Sequence, residues 1–341
     1  MRFRLLLLSL SLLLGACSKT ATPVQLDFVG ITTLVSGSKT VNPNDTLSTR
    51  VYAVGNDNKL RRLRITVTYE PGPTAIEYPS PVSSFDPKNG PGALTVVYLD
   101  SLITPLFKGS NPPRGGEYLF NNSFTARSTS GTEQWQYTVT DEKMETASRA
   151  YRLTARKPDS AAVFHSYTTL LRPVPRTRRL ADSLRTVRRV YLSLRTGLVL
   201  PKFAVLNQEA SVQANQLLID LIAVSSDGNS VRLTSPANPD TTVLKLNTRR
   251  WPTANRRTTE LRATSLNATA FANASTLAAF TTAFANGSPF TSPLSTGVLI
   301  KNQVVAFRVT EGVDTYTGLL LVSELVLGSA PVLTCTVKVQ K

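Results

Sequence analysis

The stretch Arg61–Glu70, "RRLRITVTYE", alternates polar and apolar side chains residue by residue. On an extended chain Leu63, Ile65, Val67 and Tyr69 share one face, and Arg62, Arg64, Thr66 and Thr68 the other. Strand side chains point alternately to opposite faces, so such a segment buries its apolar side only within a sheet that covers something apolar. A helix would scatter the same residues around its circumference. The pattern returns in "EQWQYTVTD", with Trp135, Tyr137 and Val139, and in "ASRAYRLTARK", with Arg149, Tyr151, Leu153 and Ala155. Strands are expected near 24–30, 47–55, 59–70, 93–101, 117–127, 133–141 and 146–156, separated by turn-forming residues. Short half-buried strands at this spacing predict an antiparallel β-sandwich over residues 24–157.

The rest of the chain reads differently. "QLLIDLIAV", Ser225 to Asn229 and "SVRLT" form a hairpin pattern with a glycine in its turn. "STLAAFTTAFANG" predicts a helix with Ser275 as N-cap, Leu277, Phe280 and Phe284 on one face, and a stop at Asn286-Gly287. "QVVAFRV", "YTGLLLVSELVL" and "VLTCTVKVQ" follow as strands, so 190–341 is expected to be an α+β, sheet-dominated domain and the whole protein mainly β. Between the two, 158–189 reads as a basic linker and edge segment. Its Arg172, Arg176, Arg178, Arg179, Arg185, Arg188 and Arg189 face a single Asp across "RPVPRTRRLADSLRTVRR". Such a segment either lies on anionic headgroups or is a solvated connector whose charges protect a sheet edge.

The N-terminus "MRFRLLLLSLSLLLGAC" has two arginines, an apolar run about half as long as a membrane span, and small residues before Cys17. This is a signal-peptide pattern over 1–16. Leu14-Gly15-Ala16-Cys17 resembles the lipobox of bacterial lipoproteins. The resemblance implies lipidation of Cys17, a tether over 17–23 and a bilayer anchor through acyl chains, each buried CH₂ adding ~0.8 kcal/mol. "WQYTVTDEKMETASRAYRLTAR" resembles the last hairpin of Ig-like and PKD-type domains. "YLSLRTG", "NQLLIDLIAV", "NQVVAFRV" and "YTGLLLVSELVL" together resemble the tail domain of exported lipoproteins from Bacteroidota. In those lipoproteins acidic residues after the Cys accompany display on the outer face; here Ser18, Lys19 and Thr20 follow. The resemblance therefore implies an outer-membrane anchor facing the periplasm rather than the cell surface. Asp-Ser/Thr triplets resemble the O-glycosylation pattern of such proteins, with Thr46, Ser101, Ser160, Ser183 and Thr241 as candidate acceptors.

The net charge of +16 points to polyanionic partners. In an envelope these are anionic lipid and acidic glycan, and no nucleic-acid partner is expected. Cys335 has no partner once Cys17 carries lipid, and its alternating surroundings make it a core thiol. His165 is the single histidine, in a strand-like string, and no hydrolase, metalloprotease, P-loop or dinucleotide motif occurs. No cofactor or metal is expected. Asp141 with Glu142, or Glu77 with Asp86, are the carboxylates a glycosidase would need across a cleft. Trp251 lies among Arg249, Arg250, Arg256 and Arg257, a combination able to stack on a sugar ring and pair its acidic groups. The expected function is a non-catalytic, membrane-anchored envelope lipoprotein that binds or scaffolds a glycan or protein partner. The alternatives are a carboxylate-dependent polysaccharide or peptidoglycan hydrolase and a structural protein apposed to anionic lipid.

Overall fold

A computed structural model describes residues 22–70, 93–127, 130–155, 163–176, 188–207, 209–240 and 242–341. The protein is mainly β, with several antiparallel sheets and few helices. The first part contains β1 (Val24–Phe28), β2 (Lys39–Val41), β3 (Thr46–Gly55), β4 (Leu60–Glu70), β5 (Leu94–Leu102), β6 (Gly116–Thr125), β7 (Gly131–Asp141) and β8 (Thr146–Ala155). They form a three-stranded sheet, β1-β3-β6, and a five-stranded sheet, β2-β8-β7-β4-β5. Pairing of β4 with β7 sets Leu63 opposite Val139, Ile65 opposite Tyr137 and Val67 opposite Trp135. All six are buried, so the alternation seen in sequence maps onto one covered face.

The two sheets pack face to face. Phe124 of one meets Trp135 of the other at 4.2 Å between ring centroids, and Phe28 meets Tyr137 edge-on at 5.3 Å. Buried tyrosine hydroxyls need partners. Thr49 Oγ1 lies 2.7 Å from Tyr151 OH, and Asn122 Nδ2 donates to Tyr137 OH at 2.8 Å, so polar atoms of one sheet satisfy those of the other.

The second part contains β9 (Phe164–Leu171), β10 (Arg189–Leu192), β11 (Val199–Pro201), β12 (Leu221–Val224), β13 (Arg232–Thr234), β14 (Thr258–Ala263), α1 (Ala268–Asn273), α2 (Leu277–Asn286), β15 (Ser288–Pro289), β16 (Val304–Glu311), β17 (Asp314–Val326) and β18 (Val332–Gln340). A six-stranded sheet runs β15-β14-β16-β17-β18-β9, and a four-stranded sheet runs β11-β10-β12-β13. One face of the larger sheet, with Phe307, Leu320, Cys335 and Val337, packs on Leu192, Leu221 and Leu233 of the smaller. Its other face, with Val304, Ala306 and Leu319, carries Phe271 of α1 and Phe280 and Phe284 of α2. Alternation along β16 thus feeds two cores at once. Cys335 is free and buried, and burial raises its thiol pKa.

Two local expectations are corrected. The N-cap of α2 is Thr276 rather than Ser275: Thr276 Oγ1 accepts from Ala279 N at 3.1 Å, and its carbonyl opens the helical ladder to Phe280 N. Gln216, Leu217 and Leu218, expected in a strand, instead end a 3-10 helix, Ala210–Leu218. The cause is the buried Asn215–Gln216 pair, which bonds to backbone carbonyls rather than joining a ladder. Asn215 Nδ2 donates to Ala204 O (2.7 Å) and to Val97 O of β5 (2.6 Å), while Gln216 Nε2 donates to Val205 O (3.0 Å) and Arg250 O (2.7 Å). The bond to Val97 also docks this segment on the sandwich. It is joined there by Ser211 Oγ donating to Asp100, and by Arg62 bridging Asp100 and Glu209.

Candidate functional site

The four-stranded sheet offers its second face, through Tyr191, Leu200 and Ile222, to a core continuous with that of the sandwich. β10 and β12 are only four residues long. Val190 and Val224 within them, and Leu206 and Leu246 beside them, are only half-buried, and a cavity of about 350 Å³ opens over them. Its lining comes entirely from residues between Val174 and Arg250. The floor is apolar, with Tyr191, Ile222 and Leu244 beneath. Around it stand five cations, Arg176, Arg188, Lys202, Lys245 and Arg250, and among the described residues no carboxylate lines it.

Each wall has a local cause. Pro175 bridges to Ser225 in parallel, placing Val174 and Arg176 alongside the end of β12. Arg176 donates through Nη1 to Thr242 O (2.8 Å) and through Nη2 to Val243 O, which ties down the start of the 242–250 loop. The far end of that loop is held by Arg250 N and Trp251 N, both donating to Asn247 O, and by Gln216 on Arg250 O. Lys202 opens a short 3-10 turn after β11, and Arg188 immediately precedes β10. Among the described residues none of Arg188, Lys202, Lys245 and Arg250 takes part in an ion pair. Like charges held together without counterions leave a positive potential focused in the cavity.

The aromatic–basic cluster around Trp251 does not form one surface. Trp251 is fully buried behind the floor, its ring 5.9 Å from that of Tyr191 and its Nε1 donating to Asn255 O at 3.0 Å. It offers no face to a sugar. Arg256 donates through Nε and Nη2 to Trp251 O, and Arg257 turns inward to Asp220 and Glu311. Arg250 lines the cavity; Arg249 is exposed beside it and does not. Of the arginines in the basic segment, Arg172 is exposed, Arg176 and Arg188 line the cavity, and Arg189 is half-buried in β10. Burial lowers the Arg189 pKa, and neighbouring Arg172 lowers it further. Arg178, Arg179 and Arg185 lie outside the described residues, as do Cys17, Ser160, Ser183, Thr241, Glu77 and Asp86. Thr46 is exposed, and Ser101 is half-buried with its hydroxyl on Leu102 O.

Carboxylates fall into structural settings. Asp141 is buried in the β7–β8 turn and accepts from Asn58 Nδ2, Lys143 N and Glu145 N, so it does not oppose its exposed neighbour Glu142 across a cleft. Asp220 is buried and accepts from Leu194 N (2.7 Å), Tyr316 OH (3.0 Å) and Arg257 Nη1 (3.0 Å). Its burial raises its pKa against the opposing pull of Arg257. Glu133 is buried in the sandwich, accepting from Arg127 N and from Trp135 Nε1. Burial pushes its carboxyl up to about 7, although both donors and the Arg127 charge pull it down. Among the described residues no three His, Cys, Asp or Glu side chains group as a metal site, and no helix is long and apolar enough to cross a membrane.

Comparison with known proteins yields no matching family model and no matching curated relative. Among solved structures, the chain is similar to a DUF4466 family protein from Parabacteroides merdae. That match has 11% identity and a TM-score of 0.35, and covers 94% of this chain and 99% of that one. Spo0M, a sporulation control protein from Bacillus subtilis, matches 62% of this chain and 78% of its own at 11% identity and a TM-score of 0.25. A β-glucosidase from Listeria innocua matches 39% of this chain and 16% of its own at 5% identity and a TM-score of 0.22. None superposes well enough to transfer a fold or a function.

Proposed function

We propose that this chain is an envelope lipoprotein with a non-catalytic binding role, anchored by acylated Cys17, and that its ligand is anionic and held in the basic cleft. The observation that carries the reading is the set of five cations around a cavity to which no described residue contributes a carboxylate. An Ig-like sandwich next to the tether would serve as a stalk, holding the cleft-bearing part away from the bilayer. The signal-peptide pattern and Leu14–Cys17 support anchoring, and the absence of acids at Ser18–Thr20 supports a periplasm-facing outer-membrane location.

The test separates the cleft from the general positive charge. Retention on a sulfated matrix is compared for wild type, for Lys202→Glu with Arg250→Glu, and for a control reversal, Arg249→Glu. A reversed pair at the cleft is expected to elute at much lower salt, with the control shifted little. Equal shifts in both variants would refute the cleft as the site. Fractionation of Cys17→Ser cells is expected to release the protein from the membrane, and protease shaving of intact cells is expected to leave the anchored form uncut.

A further inference from the structure

Resting on the reading of the cleft as an anion site, we infer that its ligand is an anionic amphiphile: one hydrocarbon chain ending in a phosphate-type headgroup. The cavity joins two chemistries. At its rim Lys202, Lys245 and Arg250, which form no ion pair among the described residues, suit a multiply charged head. Inside, Val174, Val190, Leu206, Val224 and Leu246 line the cavity and are only half-buried. An inorganic anion has no use for that floor. An acidic sugar is poorly served by it, because its ring hydroxyls need partners, and the uncharged polar side chains among the described lining residues are Tyr191, Ser225 and Asn247, of which Tyr191 and Ser225 are buried. A hydroxyl buried without a partner weakens binding, whereas a methylene laid on the same surface strengthens it.

Size narrows the class. A volume of about 350 Å³ lies near the lower end of small-ligand cavities, enough for a head and a short run of methylenes but not for two acyl chains. The floor belongs to β10 and β12, whose opposite face is packed on the six-stranded sheet, so the cavity cannot deepen cheaply to admit more. A chain longer than the floor would emerge from the cleft.

The experiment is calorimetric titration of the full chain carrying Cys17→Ser, which holds no lipid of its own. The probes are monoalkyl phosphates of increasing chain length below their micellar range, inorganic phosphate and an acidic oligogalacturonate. Affinity is expected to rise by up to about fourfold per methylene and then level off when the floor is covered. Val190→Thr and, separately, Leu246→Ser are expected to flatten that rise. Lys202→Glu with Arg250→Glu is expected to weaken every chain length by a similar factor. Alkyl phosphates that bind no better than inorganic phosphate would overturn the inference, as would a chain-length rise indifferent to both floor substitutions. Tight oligogalacturonate binding without any benefit from alkyl chains would also overturn it, while leaving the anion site standing. If no anion binds, the anion reading itself falls.

Discussion

Glu133 makes the sandwich more stable in acid than in base, and its replacement by Gln isolates the effect. The carboxyl is buried between the sheets, with Arg127 N–H and Trp135 Nε1–H as donors. Its pKa is about 7 in the fold against 4.5 for a free Glu side chain, with burial as the largest cause. A group whose folded pKa is raised contributes stability that is fully present below the unfolded pKa and lost as pH rises through the folded one. The window therefore runs from about pH 4.5 to about pH 7. Each unit between the two pKa values corresponds to 1.36 kcal/mol, so the full loss is about 3 kcal/mol. Glu133→Gln cannot ionise, but both carboxyl oxygens accept N–H bonds, so its amide NH2 leaves one donor unpaired at a cost that is the same at every pH. Between pH 4.5 and pH 8 the stability of the variant relative to wild type should therefore shift by about 3 kcal/mol in the variant's favour.

The assay is urea unfolding at several pH values, followed by tryptophan emission, with free energies compared at each pH. Trp135 sits 3.0 Å from the carboxylate, so the signal reports the region concerned. Other titrating groups act equally in both proteins and cancel in the difference. A difference that stays flat between pH 4.5 and pH 8, or that grows in acid, would refute the reasoning. The first result would mean that Glu133 keeps an ordinary pKa. The second would mean that its donors outweigh its burial.

Three further outcomes follow from packed polar groups and close contacts. Asp220→Ala leaves Leu194 N, Tyr316 OH and Arg257 without a buried acceptor, an expected loss of about 3–5 kcal/mol in urea unfolding, with Asp220→Asn clearly milder. Lys338 is buried and donates to the carbonyls of Phe271, Ala272 and Ala274 at the end of α1, so Lys338→Met should cost about 2–4 kcal/mol and increase amide exchange across that helix. Gly318 lies opposite Phe307, whose ring covers it, and any Cβ there would collide with that ring and with Lys338 O. Gly318→Ala should lower stability by about 1–3 kcal/mol, and adding Phe307→Leu should cost less than the sum of the two single changes.

The strands of the sandwich were legible because one covered face imposes period two over many residues: β7 carries it from Glu133 to Asp141, β4 from Leu63 to Tyr69 and β8 from Tyr151 to Ala155, with Arg149 exposed. β2 was not: it has three residues, of which only Val41 is buried, too few for any period to register. The helix face of α2 was legible from Phe280 and Phe284, while its cap fell one residue away because Ser275 and Thr276 are equally good caps by type. Asn215 and Gln216 broke an apparent strand, since the hydrogen bonds they make depend on Val97 and Arg250, remote residues that no local window contains.

The site was legible only in part, and the reason lies in how sheets and loops place neighbours. Arg249, Arg250, Trp251, Arg256 and Arg257 are close in sequence, yet one lines the cavity, one is solvated beside it, one is core and two are bonded to protein groups. Closeness along the chain is a poor guide when consecutive side chains leave in opposite directions. The cations that do converge come from separate stretches, Arg176 and Arg188 ahead of β10, Lys202 after β11, and Lys245 with Arg250 between β13 and β14, and Lys202 and Lys245 stand out in no local pattern. What unites them is the short β10–β12 ladder. Its one face is packed on the six-stranded sheet, and on the other Val190 and Val224 stay half-buried at the cavity. Half-buried apolar side chains beside five cations suit the proposed ligand, with both an apolar part and negative charge. The cleft is where these two properties of the chain coincide.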